Sequence, residues 1–262
     1  MRFGFVGCGN MGGAILSGAI STGVLDKEHV AVFDVSPTVS RHWKDSGISV
    51  LGDDEQVAHW ADIIILAVKP QDAVEALKQC GVGLDGKVLV SIVAGYSVAR
   101  LSRLVTGTPR ILRVLPNTPA LVREGAFAVS SDSDLRRDEL GVVVGVLDAL
   151  GIVELVPERL IDAVCGLSGG APAYVAMIIE ALADGGVLEG LPRQVAYRLA
   201  AQTCIGAGRL LLERGLHPEA LKDMVTSPGG TTIEGCAVLE RSGIRGALID
   251  AVRAGAEKSR EL

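Results

Sequence analysis

Near its carboxyl end the chain reads Val225-Thr226-Ser227-Pro228-Gly229-Gly230-Thr231-Thr232-Ile233-Glu234-Gly235. Pro228 has no N–H and disfavours helix at the residue before it. Gly229 and Gly230 let the backbone bend and let a ligand come close. Thr231 and Thr232 then open an apolar-patterned segment at 233–239, which predicts a helix N-terminus with free N–H groups and two hydroxyls. Such an end attracts a small anion such as a carboxylate; a threonine-capped loop between helices has the same local pattern. At the other end, Gly7-Cys8-Gly9-Asn10-Met11-Gly12 follows a strand-like run at 2–6 and opens a helical pattern that lasts to about 21. That setting gives G-x-G-x-x-G its meaning. Gly7 permits the tight turn, Gly9 lets a pyrophosphate approach the backbone, and Gly12 lets the helix pack on the strand. One turn is built for a dinucleotide and the other for a small acid, which together suggest redox chemistry.

Further cofactor candidates fall at the carboxyl ends of other strand-like runs, where open α/β sheets take their ligands. Asp34 ends the run at 30–33, in the place where the adenosine ribose is read. It suits the 2′-hydroxyl of NAD. Ser36 and Thr38 follow in a short polar loop that suits a 2′-phosphate; Val35 supplies no arginine, and Arg41 stands farther on. An ordinary turn with a helix cap has the same residues, so the cofactor stays NADP or NAD. The continuous apolar run at 63–68 is expected of a central strand buried on both faces, and it leads into Ala67, Val68, Lys69 and Pro70. Lys69 reads as a phosphate or ribose contact or as a solvated lysine. Ala94 and Gly95 follow the run at 87–92, and Asn117 and Thr118 lie between Pro116 and Pro119 after the run at 110–114. The two prolines stiffen a loop suited to orienting a nicotinamide amide, or they make a plain proline turn.

The elements that must position these residues change character along the chain. Strand-like and helix-like segments alternate up to 156, with late strands at 126–129 and 153–156 around a helix at 135–150. From Glu158 on, helical periodicity dominates: 159–167, 171–188, 192–214, 218–225, and 231 to the end. The fold class is α/β plus all-α: a Rossmann-type parallel-sheet domain at 1–157, then a helical substrate and dimerisation domain at 158–262. Hydrophobic residues make up 48% of 262 residues, enough for a sizeable core, while aromatics at 3% exclude base-stacking platforms. A net charge of −6 leaves no footprint for nucleic acid or an anionic membrane. The apolar run at 63–68 is too short to cross a bilayer. Five scattered cysteines without CxxC fit reduced thiols in cytoplasm, with no signal peptide expected, and His29, His42, His59 and His217 show no metal-ligand spacing.

The sequence resembles the pyrroline-5-carboxylate reductase family over essentially its whole length. The likeness rests on residues 7–12, Ala67-Val68-Lys69-Pro70-Gln71, Arg113-Val114-Leu115-Pro116-Asn117-Thr118-Pro119-Ala120, residues 167–175 and 180–186, and residues 225–235. It implies reduction of the cyclic imine 1-pyrroline-5-carboxylate to L-proline by NADPH or NADH. It also implies a homodimer or larger homo-oligomer whose helical domains interleave. Members usually read Ser-Gly-Ser-Gly-Pro where this chain has Ser168-Gly169-Gly170-Ala171-Pro172, and asparagine where it has Asp54 at the adenosine side.

Such a reaction needs a hydride donor, a carboxylate anchor and a proton on the imine nitrogen. Backbone N–H groups around Gly229, Gly230 and Thr231 are the expected anchor, and the Thr232 hydroxyl is expected to orient the ring nitrogen or relay a proton to it. Glu158 matches a substrate-side position in some members, and equally reads as an acid interacting with a helix dipole. Two other classes compete: a β-hydroxyacid dehydrogenase or general imine reductase, and a non-catalytic dinucleotide sensor. The absence of lysine from 171–188 counts against the hydroxyacid enzymes. A sensor has no need of the second turn.

Overall fold

The computed structural model describes residues 1–261 and forms two compact units. The first holds Met1–Gly170 and the chain from Ala254 on. Its elements alternate as β1 (Phe3–Val6), α1 (Asn10–Ser21), β2 (Val30–Phe33), α2 (Pro37–Asp45), β3 (Ser49–Val50), α3 (Asp54–Trp60), β4 (Ile63–Leu66), α4 (Ala73–Cys80), β5 (Val88–Ser91), α5 (Val98–Leu104), β6 (Arg110–Leu115), β7 (Gly125–Ser130), α6 (Arg137–Asp148) and β8 (Gly151–Val156). The sheet order is β3-β2-β1-β4-β5-β6-β7-β8. The chain therefore runs outward from β1 in one direction and resumes at β4 on the other side, which makes the carboxyl ends of β1 and β4 the switch point.

Side chains alternate between faces along each strand. Phe3, Phe5, Ile63, Ile65, Val88 and Val90 point into one buried layer with Ile15 and Leu16 of α1 and Val143 and Leu147 of α6. Val6, Ile64, Leu66 and Leu89 point into the opposite layer with Val57, Ala58, Ala76 and Leu77 of α3 and α4. Gly4 is required here, since an added Cβ would lie 2.6 Å from Val57 Cγ1. Both faces are covered, so these strands read as unbroken apolar runs.

Two strands depart from the expected parallel arrangement. β7 pairs antiparallel to β6, and β8 runs parallel to β7. The connection from β6 to β7 is only the 3₁₀ turn Thr118–Val122, with no crossover helix to bring the chain back to the same end. β7 and β8 do have such a crossover, in α6. The short helix α5 was absent from the sequence expectation.

After β8 the chain makes a 3₁₀ turn at Glu158–Leu160, α7 (Ile161–Val164) and a π turn at Cys165–Gly169, where a helix at 159–167 was expected. Ile161 is fully buried with Leu115 and Ala128, so this segment packs on the strand unit even though strand patterning ends before it.

The second unit spans Ala171–Arg253. It contains α8 (Ala171–Leu188), α9 (Arg193–Arg214), α10 (Pro218–Val225), α11 (Thr231–Arg241) and the first part of α12 (Ile244–Arg260). Ala183, Ala196 and Ala200 are buried between α8 and α9, where small side chains let the backbones approach. The helix expected from 231 to the end is broken at Gly243, whose φ of 74° stops α11 in the left-handed conformation.

Candidate functional site

The glycine loop between β1 and α1 gives each glycine a separate reason. Gly7 has a φ of 78°, and an added Cβ there would lie 2.7 Å from Val68 Cγ1. A Cβ on Gly12 would meet Ala67 Cβ and Gly7 O, each at 2.9 Å, so this residue fixes the contact of α1 with the β4 end. At Gly9 nothing lies within 4 Å of the position a Cβ would take. Side-chain packing does not need a glycine there; the open space suits a phosphate group approaching the amides at the start of α1, beside Asn10 and Met11. No side chain caps this helix start. The loop opens on a cleft of about 770 Å³ lined by Gly9, Asn10, Ser17, Thr38, His42 and Arg123 among others.

Cys8 serves the loop's shape. Its N–H donates to Asp34 Oδ2 at 2.8 Å, its carbonyl accepts from Trp43 Nε1 at 3.0 Å, and its side chain is buried. Burial, and secondarily the charge of Asp34, push the thiol's pKa far up, so it is an inert neutral group. Trp43 was not singled out from the sequence, although a tryptophan in so aromatic-poor a chain was a usable signal.

Asp34 binds the loop from the neighbouring strand: Oδ1 accepts from the Ser36 N–H at 2.9 Å while Oδ2 holds Cys8. Ser36 is the residue before α2 and its side chain makes no cap, which leaves its hydroxyl available. Asp54, in the first turn of α3, is 4% exposed. Its pKa is raised to about 6, first by burial and then by the charges of Asp53 and Asp34.

Beyond β4, the Ala67 N–H donates to Val6 O at 2.8 Å, which ties the two strand ends together. Val68 is partly buried and Lys69 is exposed. The Pro70 carbonyl accepts from the buried Tyr96 hydroxyl at 2.9 Å. Ala94 and Gly95 follow β5, with Gly95 at a φ of 76°. The structure thus gathers Gly7–Gly12, Asp34, Ser36 and Ala67–Pro70 at the carboxyl ends of β1, β2 and β4.

Two of the expected contact residues carry hydrogen bonds within the fold. Asn117 is 8% exposed; Oδ1 accepts from Ala126 N–H at 2.8 Å and Nδ2 donates to Ser168 O at 3.1 Å. Glu158 Oε1 accepts from the Val98 N–H at 2.6 Å, capping α5, and lies 3.8 Å from Arg113 Nη1. Arg113 is itself buried and donates from Nη2 to Asp162 Oδ1 at 3.3 Å, an oxygen that also accepts from Ser259 Oγ at 2.8 Å.

In the second unit, Gly229 has a φ of 64° and Gly230 precedes α11 without a side-chain cap. The first intrahelical bond runs from Glu234 N–H to Gly230 O at 3.4 Å, so the Thr231 and Thr232 amides precede it and point out of the helix start. A Cβ on Gly230 would collide with Ser227 Oγ. Both threonines are exposed.

Comparison with known proteins decides the family. The chain is 42% identical to the pyrroline-5-carboxylate reductase of Escherichia coli K12 over 100% of its own length and 98% of that protein's. The chain belongs to the pyrroline-5-carboxylate reductase family. The Arabidopsis thaliana reductase is 40% identical, covering 100% of this chain and 95% of the plant protein. Residues 158–262 match the family model described as pyrroline-5-carboxylate reductase dimerisation, and residues 2–95 match that of NADP oxidoreductase, coenzyme F420-dependent. Among solved structures, the Coxiella burnetii pyrroline-5-carboxylate reductase superposes with a TM-score of 0.93 at 31% identity, covering 99% of this chain and 97% of that one. The Plasmodium falciparum pyrroline carboxylate reductase with NADP bound gives 0.89 at 32%, covering 100% and 97%.

Proposed function

We propose that the protein reduces 1-pyrroline-5-carboxylate to L-proline with NADPH or NADH, the last step of proline biosynthesis. The observation that carries this reading is the full-length match to pyrroline-5-carboxylate reductases. The space left open at Gly9 supports it, because no side chain there stands in the way of a phosphate approaching the backbone.

The reduced nicotinamide supplies the hydride. The chain's own residues bind and orient. Gly9, Asn10 and Met11 offer the start of α1 to the pyrophosphate, and Asp34 and Ser36 stand at the adenosine side with Asp54 behind them. Ala67, Val68, Lys69, Pro70, Ala94 and Gly95 line the strand ends along which the cofactor extends. The amides of Thr231 and Thr232, helped by the dipole of α11, hold the substrate carboxylate. The Thr232 hydroxyl faces the ring nitrogen and orients it or relays a proton from water, being too weak an acid to supply the proton alone. Holding both rings in contact supplies the remaining advantage as proximity.

Copies of the chain pair through the helical region. Met177, Leu188, Leu212 and Met224 are 69%, 86%, 70% and 68% exposed in one chain, more apolar surface than a lone helical unit leaves in water. The helical run Glu158–Leu188 is long and apolar enough to cross a membrane by length and composition. Glu180 and Asp184 lie within it, which suits a face turned to a second protein better than one turned to lipid. The enzyme is then a cytoplasmic homo-oligomer.

The test is to mix purified protein, reduced cofactor and the cyclic imine and follow the reduced-nicotinamide absorbance together with proline formation. Loss of absorbance matched by proline supports the reading. Cofactor binding without oxidation would make the protein a dinucleotide sensor.

A further inference from the structure

We infer that Asn117 is a positioning residue that holds the π turn Cys165–Gly169 against the carboxyl end of β6, and that turnover depends on this turn rather than on contact between Asn117 and a ligand. The inference rests on the reductase reading above.

The amide is buried and its orientation is unambiguous. The Ala126 N–H can only donate and the Ser168 carbonyl can only accept, so Oδ1 must face the first and Nδ2 the second. The Ser168 carbonyl lacks the donor that an α-helix would give it. Four residues on stands Pro172, which has no N–H to give. The chain widens at this point: the Gly170 N–H reaches back to Cys165 O at 2.9 Å, one residue farther than an α-helix reaches. Asn117 therefore supplies a hydrogen bond that Pro172 denies, and one side chain joins the end of β6, the start of β7 and the π turn. The turn lies close to the strand end as well. A Cβ added to Gly169 would come within 4.0 Å of Leu115 Cδ2, in the last residue of β6. That edge of an open α/β sheet is where ligands bind.

Two variants act on the same carbonyl from opposite sides. Asn117→Asp keeps an acceptor for Ala126 but turns a carboxylate oxygen toward the Ser168 carbonyl. Pro172→Ala keeps Asn117 and restores an N–H that draws the turn toward ordinary helix. For each, kcat for the cyclic imine is expected to fall at least about tenfold, while the Kd for ADP-ribose, which carries no nicotinamide, stays within about twofold of wild type. Amide hydrogen exchange over 165–171 is expected to speed up in Asn117→Asp. Adding Pro172→Ala to that variant is expected to recover the exchange protection without recovering kcat. Wild-type kcat in either single variant would overturn the inference. So would a fall in activity with unchanged exchange over 165–171, which would mean that Asn117 acts on the ligand directly. If wild type itself fails to reduce the imine, the reductase reading fails, and the exchange measurement still reports whether Asn117 holds the turn.

Discussion

The Cys8 amide and the Asp34 carboxylate are joined across 2.8 Å, from the glycine loop to the end of the adjacent strand. The carboxylate that a dinucleotide fold uses to read the ribose is here also tied to the glycine loop proposed to receive the pyrophosphate. A hydrogen bond to a charged acceptor contributes about 1.5–3 kcal/mol, so Asp34 is one of the side chains, with Trp43, that set the loop's shape. Asp34→Ala is expected to weaken ADP-ribose binding at least about tenfold. A ribose contact alone would leave binding of inorganic pyrophosphate untouched; the shared role predicts that pyrophosphate competition weakens too. Isothermal titration with the two ligands separates the cases.

The three glycines of the same loop should respond differently. Gly9→Ala fills open space and is expected to leave the melting temperature within about 2 °C of wild type, since the added Cβ meets no atom within 4 Å. Its cofactor Kd is expected to rise at least about tenfold. Gly12→Ala places a Cβ 2.9 Å from both Ala67 Cβ and Gly7 O, so it is expected to lower thermal stability as well as affinity. Thermal melts paired with cofactor titration check both, and a Gly9→Ala protein with wild-type affinity would remove the pyrophosphate from this loop.

What was legible in the sequence was what local pattern determines. Strands such as Ile63–Leu66 announce themselves because both faces are covered, and the switch from alternating elements to helices after Val156 is a change of period. The direction of β7 was not legible, because residues 126–129 alternate in the same way whichever way the strand runs. The bonds that Asn117 and Glu158 make within the fold were not legible for a related reason. Their partners Ser168 and Val98 lie 51 and 60 residues away, and no spacing rule reports a bond across that distance. The second turn was legible to the level of its backbone, since Pro228, Gly229 and Gly230 prescribe a helix start with exposed amides whatever the tertiary fold.

At that second turn, Thr232 stands in the first turn of α11 with its side chain exposed and no structural bond to lose. Thr232→Ala is expected to leave the melting temperature and the cofactor Kd unchanged and to lower kcat at least about tenfold, the loss of roughly 1.4 kcal/mol in the transition state. Thr232→Ser, which keeps the hydroxyl, is expected to recover most of it. Steady-state kinetics at saturating cofactor decide the point, and an alanine variant with wild-type kcat would remove Thr232 from the reaction.

Asp54 makes stability depend on pH in a direction opposite to most carboxylates. Burial first, then the neighbouring charges of Asp53 and Asp34, raise its pKa from 3.8 to about 6. Between those values the folded chain holds a proton that the unfolded chain has released, so folding loses stability from this group as pH rises through the window. Above about pH 6 the full cost of a buried charge is present; below about pH 4 it is absent. Asp54→Asn removes the charge and is expected to match wild type near pH 4, then gain on it up to about pH 6, and hold a constant advantage beyond. A gain on the order of 1 kcal/mol raises the melting temperature of a chain this size by about 3 °C. Melting curves of the two proteins across pH 4 to 8 give the difference directly; acids that do not interact with Asp54 cancel, while Asp53 and Asp34 contribute through their coupling to it. A gap independent of pH would mean that Asp54 is already ionised throughout the range and that burial does not raise its pKa.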